Sequence, residues 1–248
     1  MSHLPHDNVI PYQQSEKSKK EQVTEMFDRV AGKYDFMNRF LSGRLDLYWR
    51  KKAINTLKKF NPLQIIDIAT GTGDLAIMTY KLLSPEKITG VDISGEMLKV
   101  GQQKINKANL NGKIILQQGD SEALAFANNS FDAATAAFGV RNFEDLEKGL
   151  SEIYRVLNNG GQLMVLEFSK PKSSVFSRLY KFYMKIVAPQ FAQLFSTDKE
   201  AYQYLNKSSI AFPEREEFLH ILNKIGFKKT TYQALTLGIC CIYRAEKG

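Results

Sequence analysis

From residue 64 onward, short apolar stretches alternate with longer amphipathic stretches, and this alternation leaves few possible folds. Strands are predicted at 64–69, 87–92, 113–118, 131–137 and 161–167. Helices are predicted between them, at 74–83, 95–107 and 144–157. Strands that alternate with helices form parallel sheets, because each helix crosses back over the sheet. The sequence therefore predicts an α/β fold with a mostly parallel sheet and helices on both faces.

The two ends of the chain depart from this alternation. Residues 1–22 are polar and show no steady period, which predicts a flexible tail, and 23–248 are expected to form a single domain. Two amphipathic helices are predicted ahead of the first strand. Residues 173–212 are rich in aromatic side chains and show no strand pattern, so we expect a helical cap insertion that sets substrate specificity. The remaining predicted elements are a helix at 214–225 and two closing strands at 227–233 and 237–244.

Composition excludes several classes of protein. Hydrophobic residues make up 44% of the 248 residues, and no stretch approaches the roughly 20 apolar residues of a spanning helix. The N-terminus lacks the apolar stretch of a secretory signal, so we expect a cytoplasmic protein. Two cysteines, Cys240 and Cys241, exclude a disulfide framework, and no cluster has metal-ligand spacing, so no metal is expected. The net charge of +8 admits nucleic acid, anionic lipid or an acidic substrate as partner.

A glycine turn follows the first predicted strand. Gly71, Gly73 and Ala76 give the spacing G-x-G-x-x-A between a strand and a helix, and Asp92 ends the next strand. Glycines let the backbone approach a ligand closely, and the helix N-terminus offers free N–H groups to an anion. This pattern indicates a nucleoside-bearing cofactor, either a dinucleotide or another.

Acidic residues around the turn discriminate between these cofactors. Asp74 directly follows the second glycine, where a dinucleotide would place its pyrophosphate, and a free carboxylate there disfavours NAD. S-adenosylmethionine carries a sulfonium, an ammonium and one carboxylate, so Asp67 and Asp74 suit it. Asp92 is placed for the ribose hydroxyls and Asp120 for the adenine amino group. Two alternatives stay open: Asp74 as a helix N-cap and Asp67 as a support for the turn.

Five segments of the chain form a distinctive set of motifs, namely Tyr34-Asp35-Phe36-Met37-Asn38, Asp67 to Leu75, Phe138-Gly139-Val140-Arg141-Asn142, Leu166 to Pro171 and Tyr202-Gln203-Tyr204-Leu205. These segments resemble those of the ubiquinone and menaquinone biosynthesis C-methyltransferases. The resemblance covers about residues 23–245 and implies a class I, Rossmann-like methyltransferase with a seven-stranded sheet. It further implies methylation of a ring carbon of a polyprenylated quinol by S-adenosylmethionine, with Thr70, Asp92, Asp120 and Ser121 in contact with the cofactor.

Methyl transfer to carbon requires an electron-rich ring, which a quinol acquires when a hydroxyl loses its proton. Arg141 follows the fourth strand, and we expect it to stabilise the resulting oxyanion. Asn142 is expected to orient the quinol, and Tyr34 with Asp35 to close over the site. The alternatives are a structural ion pair for Arg141, a helix cap for Asn142 and simple packing for Tyr34. The base is unassigned, with water and Tyr34 as candidates. Ala137 stands where some members carry serine, so no hydroxyl contact is expected there.

The substrate and partners follow from the same resemblance. Demethylmenaquinol is the expected substrate, with a ubiquinone precursor, 2-polyprenyl-6-methoxy-1,4-benzoquinol, or another small molecule as alternatives. Basic and aromatic residues interleave from Lys170 to Lys185, which predicts contact of residues 170–195 with an anionic membrane surface, although a covering helix with a basic face explains them too. Phe138 to Asn142 stands where base-methylating enzymes carry Asn-Pro-Pro-Tyr, so nucleic acid is not expected. The sequence leaves the oligomeric state open.

Overall fold

The computed structural model describes residues 4–171 and 199–248. The α-helices of this part of the chain are α1 Lys19–Leu41, α2 Leu45–Asn55, α3 Asp74–Leu83, α4 Gly95–Lys107, α5 Leu146–Val156, α6 Lys199–Ala211 and α7 Glu216–Ile225. Its strands are β1 Gln64–Ile68, β2 Lys87–Asp92, β3 Ile114–Gln118, β4 Phe131–Ala137, β5 Leu157–Phe168, β6 Phe227–Leu235 and β7 Cys240–Lys247. None of the helices in these ranges is long and apolar enough to span a bilayer.

All the strands belong to one sheet, in the order β3-β2-β1-β4-β5-β7-β6. Strands β1 to β5 are mutually parallel, whereas β7 runs antiparallel between β5 and β6. The predicted α/β class, with a mostly parallel seven-stranded sheet, is confirmed. Chain order reverses direction between β1 and β4, and the carboxyl ends of the parallel strands meet at that edge. Sheets of this kind bind ligands at such a switch point.

The sheet divides the core into two layers because neighbouring strand residues point to opposite faces. Ile66 packs with α5 and α7 on one face, and Ile65 packs with α2 and α3 on the other. Cys240 and Cys241 also separate, one into each layer. Burial on both faces accounts for the nearly continuous apolar sequence of the central strands.

Several predicted boundaries are confirmed to the residue, namely those of β2, β4, α3 and α4. β5 begins at Leu157 instead of 161, because Leu157 already pairs with Phe131 of β4, ahead of an irregularity that contains Gly160, whose φ is +77°. β7 begins at Cys240 instead of 237, because Thr236–Gly238 form a 3-10 turn first. Within the predicted cap, α6 is helical, and residues 173–198 lie outside the described residues.

Part of the segment 1–22, which is predicted to be a flexible tail, is helical or contacts the rest of the fold. α1 begins at Lys19, inside the stretch 1–22, because Ser18 and Glu21 form a reciprocal capping box. His6 is fully buried, and its Nε2 lies 2.5 Å from the carbonyl oxygen of Arg141. Lys19 donates a hydrogen bond to the His6 carbonyl at 3.0 Å. These contacts join the N-terminal segment to the loop after β4.

Candidate active site

A cavity of about 920 Å³, its open mouth included, lies at the carboxyl edge of β1 to β4, beneath α1. The predicted site residues that line it are Tyr34, Asp67, Thr70, Gly71, Asp74, Asp92, Asp120, Ser121 and Asn142. Gly73 and Arg141 are the predicted site residues that do not line it. The sheet topology therefore brings most of the predicted site together.

The glycine turn has the backbone that its sequence predicts. Gly71 and Gly73 have φ values of +56° and +74°, in the left-handed region that favours glycine. Gly73 is the N-cap residue of α3, so its contribution is to the shape of the turn. The N–H of Gly71 points to the end of β2, where it donates to Asp92 Oδ2 at 2.7 Å.

Asp92 presents a buried carboxylate to the cavity. Its Oδ2 accepts from the Gly71 N–H at 2.7 Å, and its Oδ1 accepts from the Ser94 N–H at 2.9 Å. Burial raises the pKa of Asp92 to about 6, although these backbone N–H groups oppose the rise. A carboxylate oxygen accepts more than one hydrogen bond, so both oxygens retain capacity for a pair of vicinal hydroxyls.

Asp67 has its oxygens occupied by the protein. Thr70 Oγ1 donates to Oδ2 and Thr135 Oγ1 donates to Oδ1, each at 2.6 Å. Burial raises the pKa of Asp67 to about 6, against the opposing effect of the two hydroxyls. Asp67 therefore ties the glycine turn to β4, which matches the turn-supporting alternative.

Asp74 is paired instead of free. Its carboxylate forms ion pairs with Arg39 of α1 and Lys104 of α4. Burial raises its pKa, but Lys104 foremost, then Arg50 and Arg39, hold the pKa of Asp74 below its ordinary value. Asp74 would disfavour NAD only if its negative charge were uncompensated, and here two cations compensate that charge. The choice of cofactor has to come from other observations.

Helix α1 is fastened over the cavity by polar contacts along its length. Lys20 Nζ contacts Asp120 Oδ2 at 2.7 Å, beyond β3. Ser94 Oγ, beyond β2, donates to Asp28 at 2.6 Å. Further along the helix Asp35 accepts from Thr72 Oγ1, also at 2.6 Å, and pairs with Lys104. The expected closure by the Tyr34-Asp35 segment therefore has a structural basis, since α1 forms one wall of the cavity.

The loop after β4 forms the opposite wall, and its backbone is tightly constrained. Phe138 has a φ of +60°, an unusual value for a residue with a side chain. A Cβ at Gly139 would lie 2.5 Å from Cβ of Ala69, so only glycine lets the loops after β1 and β4 meet. Asn142 lines the cavity, and its buried Oδ1 has no hydrogen-bond partner among the described residues.

Arg141, expected to contact the substrate oxygen, points away from the cavity. Its Nη1 donates to the Phe138 carbonyl at 2.6 Å and to Glu167 Oε1 at 2.7 Å. The guanidinium lies 5.3 Å from the Phe168 ring centroid, and the side chain is only 4% exposed. The Val140–Asn142 turn directs this side chain toward β5, so the geometry fits the alternative of a structural ion pair.

Arg50 lines the cavity and is a residue that sequence reasoning missed. It lies on α2 between the apolar positions that predict this helix, and it is 6% exposed. A charged residue next to Trp49, on the buried face of an amphipathic helix, is the signal that could have revealed it. Glu122 also lines the cavity, and it accepts from Lys20 at 3.1 Å.

Comparison with known proteins shows the family to which this chain belongs. Residues 15–247 match the model of the ubiE/COQ5 methyltransferase family. The chain belongs to this family. A demethylmenaquinone methyltransferase of Bacteroides fragilis is 46% identical over 98% of this chain and 99% of its own length. One of Porphyromonas gingivalis is 43% identical over 97% and 98%, respectively. A ubiquinone/menaquinone biosynthesis C-methyltransferase of Geotalea daltonii is 44% identical over 92% and 97%.

Solved structures support the fold of this family member. A methyltransferase from Thermotoga maritima that depends on S-adenosylmethionine has a TM-score of 0.62 and 21% identity, covering 91% of this chain and 99% of its own. A [4+2]-cyclase, SpnF, matches with a TM-score of 0.61 and 15% identity, covering 92% and 96%. The same fold thus carries different reactions, and the reaction has to be argued from the site.

Proposed function

We propose that the chain transfers the methyl group of S-adenosylmethionine to a ring carbon of a polyprenylated quinol, with demethylmenaquinol as substrate. The observation that carries this proposal is that two relatives named for that reaction match nearly the full length of the chain, at 46% and 43% identity. The cavity at the sheet's switch point provides the place where the two substrates would meet.

The residues present fit S-adenosylmethionine. Asp92 has carboxylate capacity for the two ribose hydroxyls, and Asp120 lies beyond β3, where its remaining capacity suits the adenine amino group. Thr70 and Ser121 line the cavity beside them. When bound, S-adenosylmethionine supplies an electrophilic methyl group for an electron-rich carbon.

The wall toward β4 and β5 suits a flat aromatic ring. Phe138 lines the cavity, and its ring centroid lies 4.6 Å from that of Phe168 and 6.3 Å from that of Trp49. An aromatic side chain at a cavity wall contacts a flat ring by its face or its edge, and of these three rings Phe138 is the one that lines the cavity. Opposite this wall, Tyr34 of α1 packs edge-on against Phe27 at 5.8 Å.

In this proposal Asn142 contacts the reacting ring. Its buried Oδ1 lacks a partner and can accept a hydrogen bond from a ring hydroxyl, which fixes the orientation of the adjacent carbon. Arg141 acts indirectly, because it binds the Phe138 carbonyl and so holds the loop that carries Asn142. An amide cannot take the hydroxyl proton, so the base stays unassigned, with water and Tyr34 as candidates.

The test uses purified protein, S-adenosylmethionine and a short-chain demethylmenaquinol kept reduced. We expect a product heavier by one methylene group, formed faster than from a matched 2-prenyl-6-methoxy-1,4-benzoquinol. The second substrate is included because the Geotalea daltonii relative is named for both pathways. Faster methylation of the benzoquinol would move the assignment to ubiquinone synthesis, and methylation of neither quinol would overturn the proposal.

Contact with an anionic membrane through residues 170–195 stays a prediction, since nearly all of that range lies outside the described residues. Sedimentation with anionic and neutral vesicles at low salt tests it. We expect anionic vesicles to retain more protein, and charge reversal at Lys181 and Lys185 to remove the difference. Equal retention by both kinds of vesicle would contradict the prediction.

A further inference from the structure

Arg50 is a buried cation that faces the cavity without a close carboxylate. Of the described residues that line the cavity, two carry a positive charge, Lys20 and Arg50. Lys20 is paired with Asp120 at 2.7 Å and Glu122 at 3.1 Å. Among residues 4–171 and 199–248, the one ion pair of Arg50 is a long one with Asp46, at 3.9 Å. Arg50 therefore has more capacity left to bind a ligand anion than Lys20 has.

Among the described residues, Asp67 and Asp74 act on Arg50 at longer range, but no carboxylate forms a short ion pair with it. Asp46 Oδ2 accepts a shorter hydrogen bond, 2.5 Å, from Arg39, and its other oxygen accepts from Ser42 at 2.9 Å. The Arg50 guanidinium lies 5.3 Å from the Phe138 ring centroid, and its buried Nε has no hydrogen-bond partner in the part of the chain that the structure describes. A buried charge without good partners is unfavourable, and a ligand anion would relieve that cost.

The position of Arg50 along the sheet edge indicates which part of a ligand it meets. Asp120 follows β3 and Asp92 ends β2, so a nucleoside held by these residues directs its 5′ substituent toward β1 and β4. Phe138, under the Arg50 guanidinium, follows β4. Asp67 lies at the end of β1, and the charge of Arg50 opposes the rise that burial causes in the pKa of Asp67. Arg50 therefore lies close to that end of the strand.

We propose that Arg50 binds the carboxylate of the methionine group of S-adenosylmethionine. The inference rests on the proposed function for the identity of the cofactor. A guanidinium matches a carboxylate with two parallel hydrogen bonds, and its charge persists at every physiological pH. The quinol is neutral until its hydroxyl ionises, so it offers Arg50 no permanent anion. Arg50 is thereby the residue that distinguishes the complete cofactor from a nucleoside lacking the carboxylate.

Calorimetry with two ligands tests this assignment. S-adenosylhomocysteine and its decarboxylated analogue share adenine, ribose, thioether and amino group, and they differ only in the carboxylate. Native protein should bind S-adenosylhomocysteine more tightly. Arg50→Met should weaken this binding about 10- to 100-fold, the scale of a charged hydrogen bond, and change the analogue's affinity by less than about threefold. Lys51→Met, at an exposed position of the same helix, should change neither affinity.

The outcomes separate this inference from the proposed function. Equal losses for the two ligands in Arg50→Met, or no loss for either, would show that Arg50 does not bind the carboxylate. Native protein that binds both ligands equally would overturn the inference alone, whereas native protein that binds neither would overturn the proposed function. Melting curves verify the fold. Arg50→Lys keeps the charge without the planar fork, and it should lose affinity only for S-adenosylhomocysteine; an equal loss for both ligands would count against the inference.

Discussion

Arg141 Nη1 donates a hydrogen bond to Glu167 Oε1 across 2.7 Å, and this ion pair lies beside the cavity instead of inside it. Glu167 is fully buried, and burial raises its pKa even though Arg141 opposes the rise. Tyr204 of α6 is also buried, and its hydroxyl has no hydrogen-bond partner within residues 4–171 and 199–248. The pair therefore holds the end of β5 against the loop after β4, in surroundings where a lone charge would be costly.

Replacing Arg141 should lower the unfolding free energy of the protein. Arg141→Ala leaves the Glu167 carboxylate buried without a cation, and breaking such pairs costs about 3 to 5 kcal/mol of unfolding free energy. Urea unfolding followed by circular dichroism measures this directly. Turnover of the folded fraction should also fall, because the loop that carries Asn142 loses its anchor at the Phe138 carbonyl.

A double variant separates the ion pair from a direct catalytic role. Arg141→Met with Glu167→Leu removes both charges and should recover most of the lost unfolding free energy, since an apolar pair of similar size can replace a buried ion pair. If Arg141→Ala keeps native stability and loses only turnover, the residue acts on the substrate and the structural role is wrong.

Asp92 should control cofactor affinity. Asp92→Asn keeps the size of the side chain but removes the charge that accepts the ribose hydroxyls, so S-adenosylhomocysteine should bind about 10- to 100-fold more weakly. Isothermal titration calorimetry measures the change. Glu96→Gln is the matched control, because Glu96 is an exposed acid on α4 and does not line the cavity. Unchanged affinity in Asp92→Asn would contradict the assigned ribose contact.

Cofactor binding should weaken as the pH falls through 6. Burial raises the pKa of Asp92 to about 6, so the carboxylate is ionised above this pH and able to accept both hydroxyls. Below it, the protonated form predominates, and the affinity for S-adenosylhomocysteine should fall by up to about tenfold per pH unit. Calorimetry from pH 5 to 8 tests this prediction.

The Asp92→Asn variant identifies the group responsible for that pH dependence. The pKa of Asp67 is also raised to about 6 by burial, so titration of the native protein alone does not distinguish the two acids. The dependence should be shallower in Asp92→Asn. A profile of undiminished steepness in that variant would assign the titration to Asp67 or another group.

Alanine should be tolerated at Gly139 only if Ala69 is also replaced by glycine. Gly139→Ala brings two Cβ atoms within 2.5 Å, and overpacking of this kind costs about 1 to 3 kcal/mol of unfolding free energy. Ala69→Gly removes the clash and also suits the φ of +50° at that position. The double variant should therefore regain the native stability and cofactor affinity in denaturation and calorimetry, whereas equal losses in the single and double variants would exclude this contact as the cause.

Local signals are sufficient for much of the fold. α4 begins at Gly95 as predicted, because Ser94 accepts from the Met97 N–H at 3.2 Å and caps the helix from the adjacent position. The order of apolar strands and helices likewise predicts the parallel sheet. Where the prediction differs, as at β7, a short 3-10 turn delays the strand, and its sequence carries no strong turn signal.

The candidate site depends on contacts that are distant in sequence. Asp74 is neutralised by Arg39 and Lys104, which lie 35 and 30 residues away. Arg141 binds Glu167, 26 residues further along the chain, and does not line the cavity. Spacing and charge predict which acids gather at the sheet edge, but they do not predict which of them find partners. Arg50 was missed for the same reason, since its exposure to the cavity exists only once α2 is packed.

The most direct test of the central claim is where the methyl group goes. Native protein is incubated with S-adenosylmethionine labelled with ¹³C in its methyl group and with reduced short-chain demethylmenaquinol, and the extracted product is examined by ¹³C NMR. We expect a single labelled signal in the range of methyl groups on a ring carbon, with loss of the proton that this carbon carries in the substrate. A labelled methoxy signal, or an unlabelled quinol recovered from protein that binds S-adenosylhomocysteine, would contradict C-methylation of this substrate.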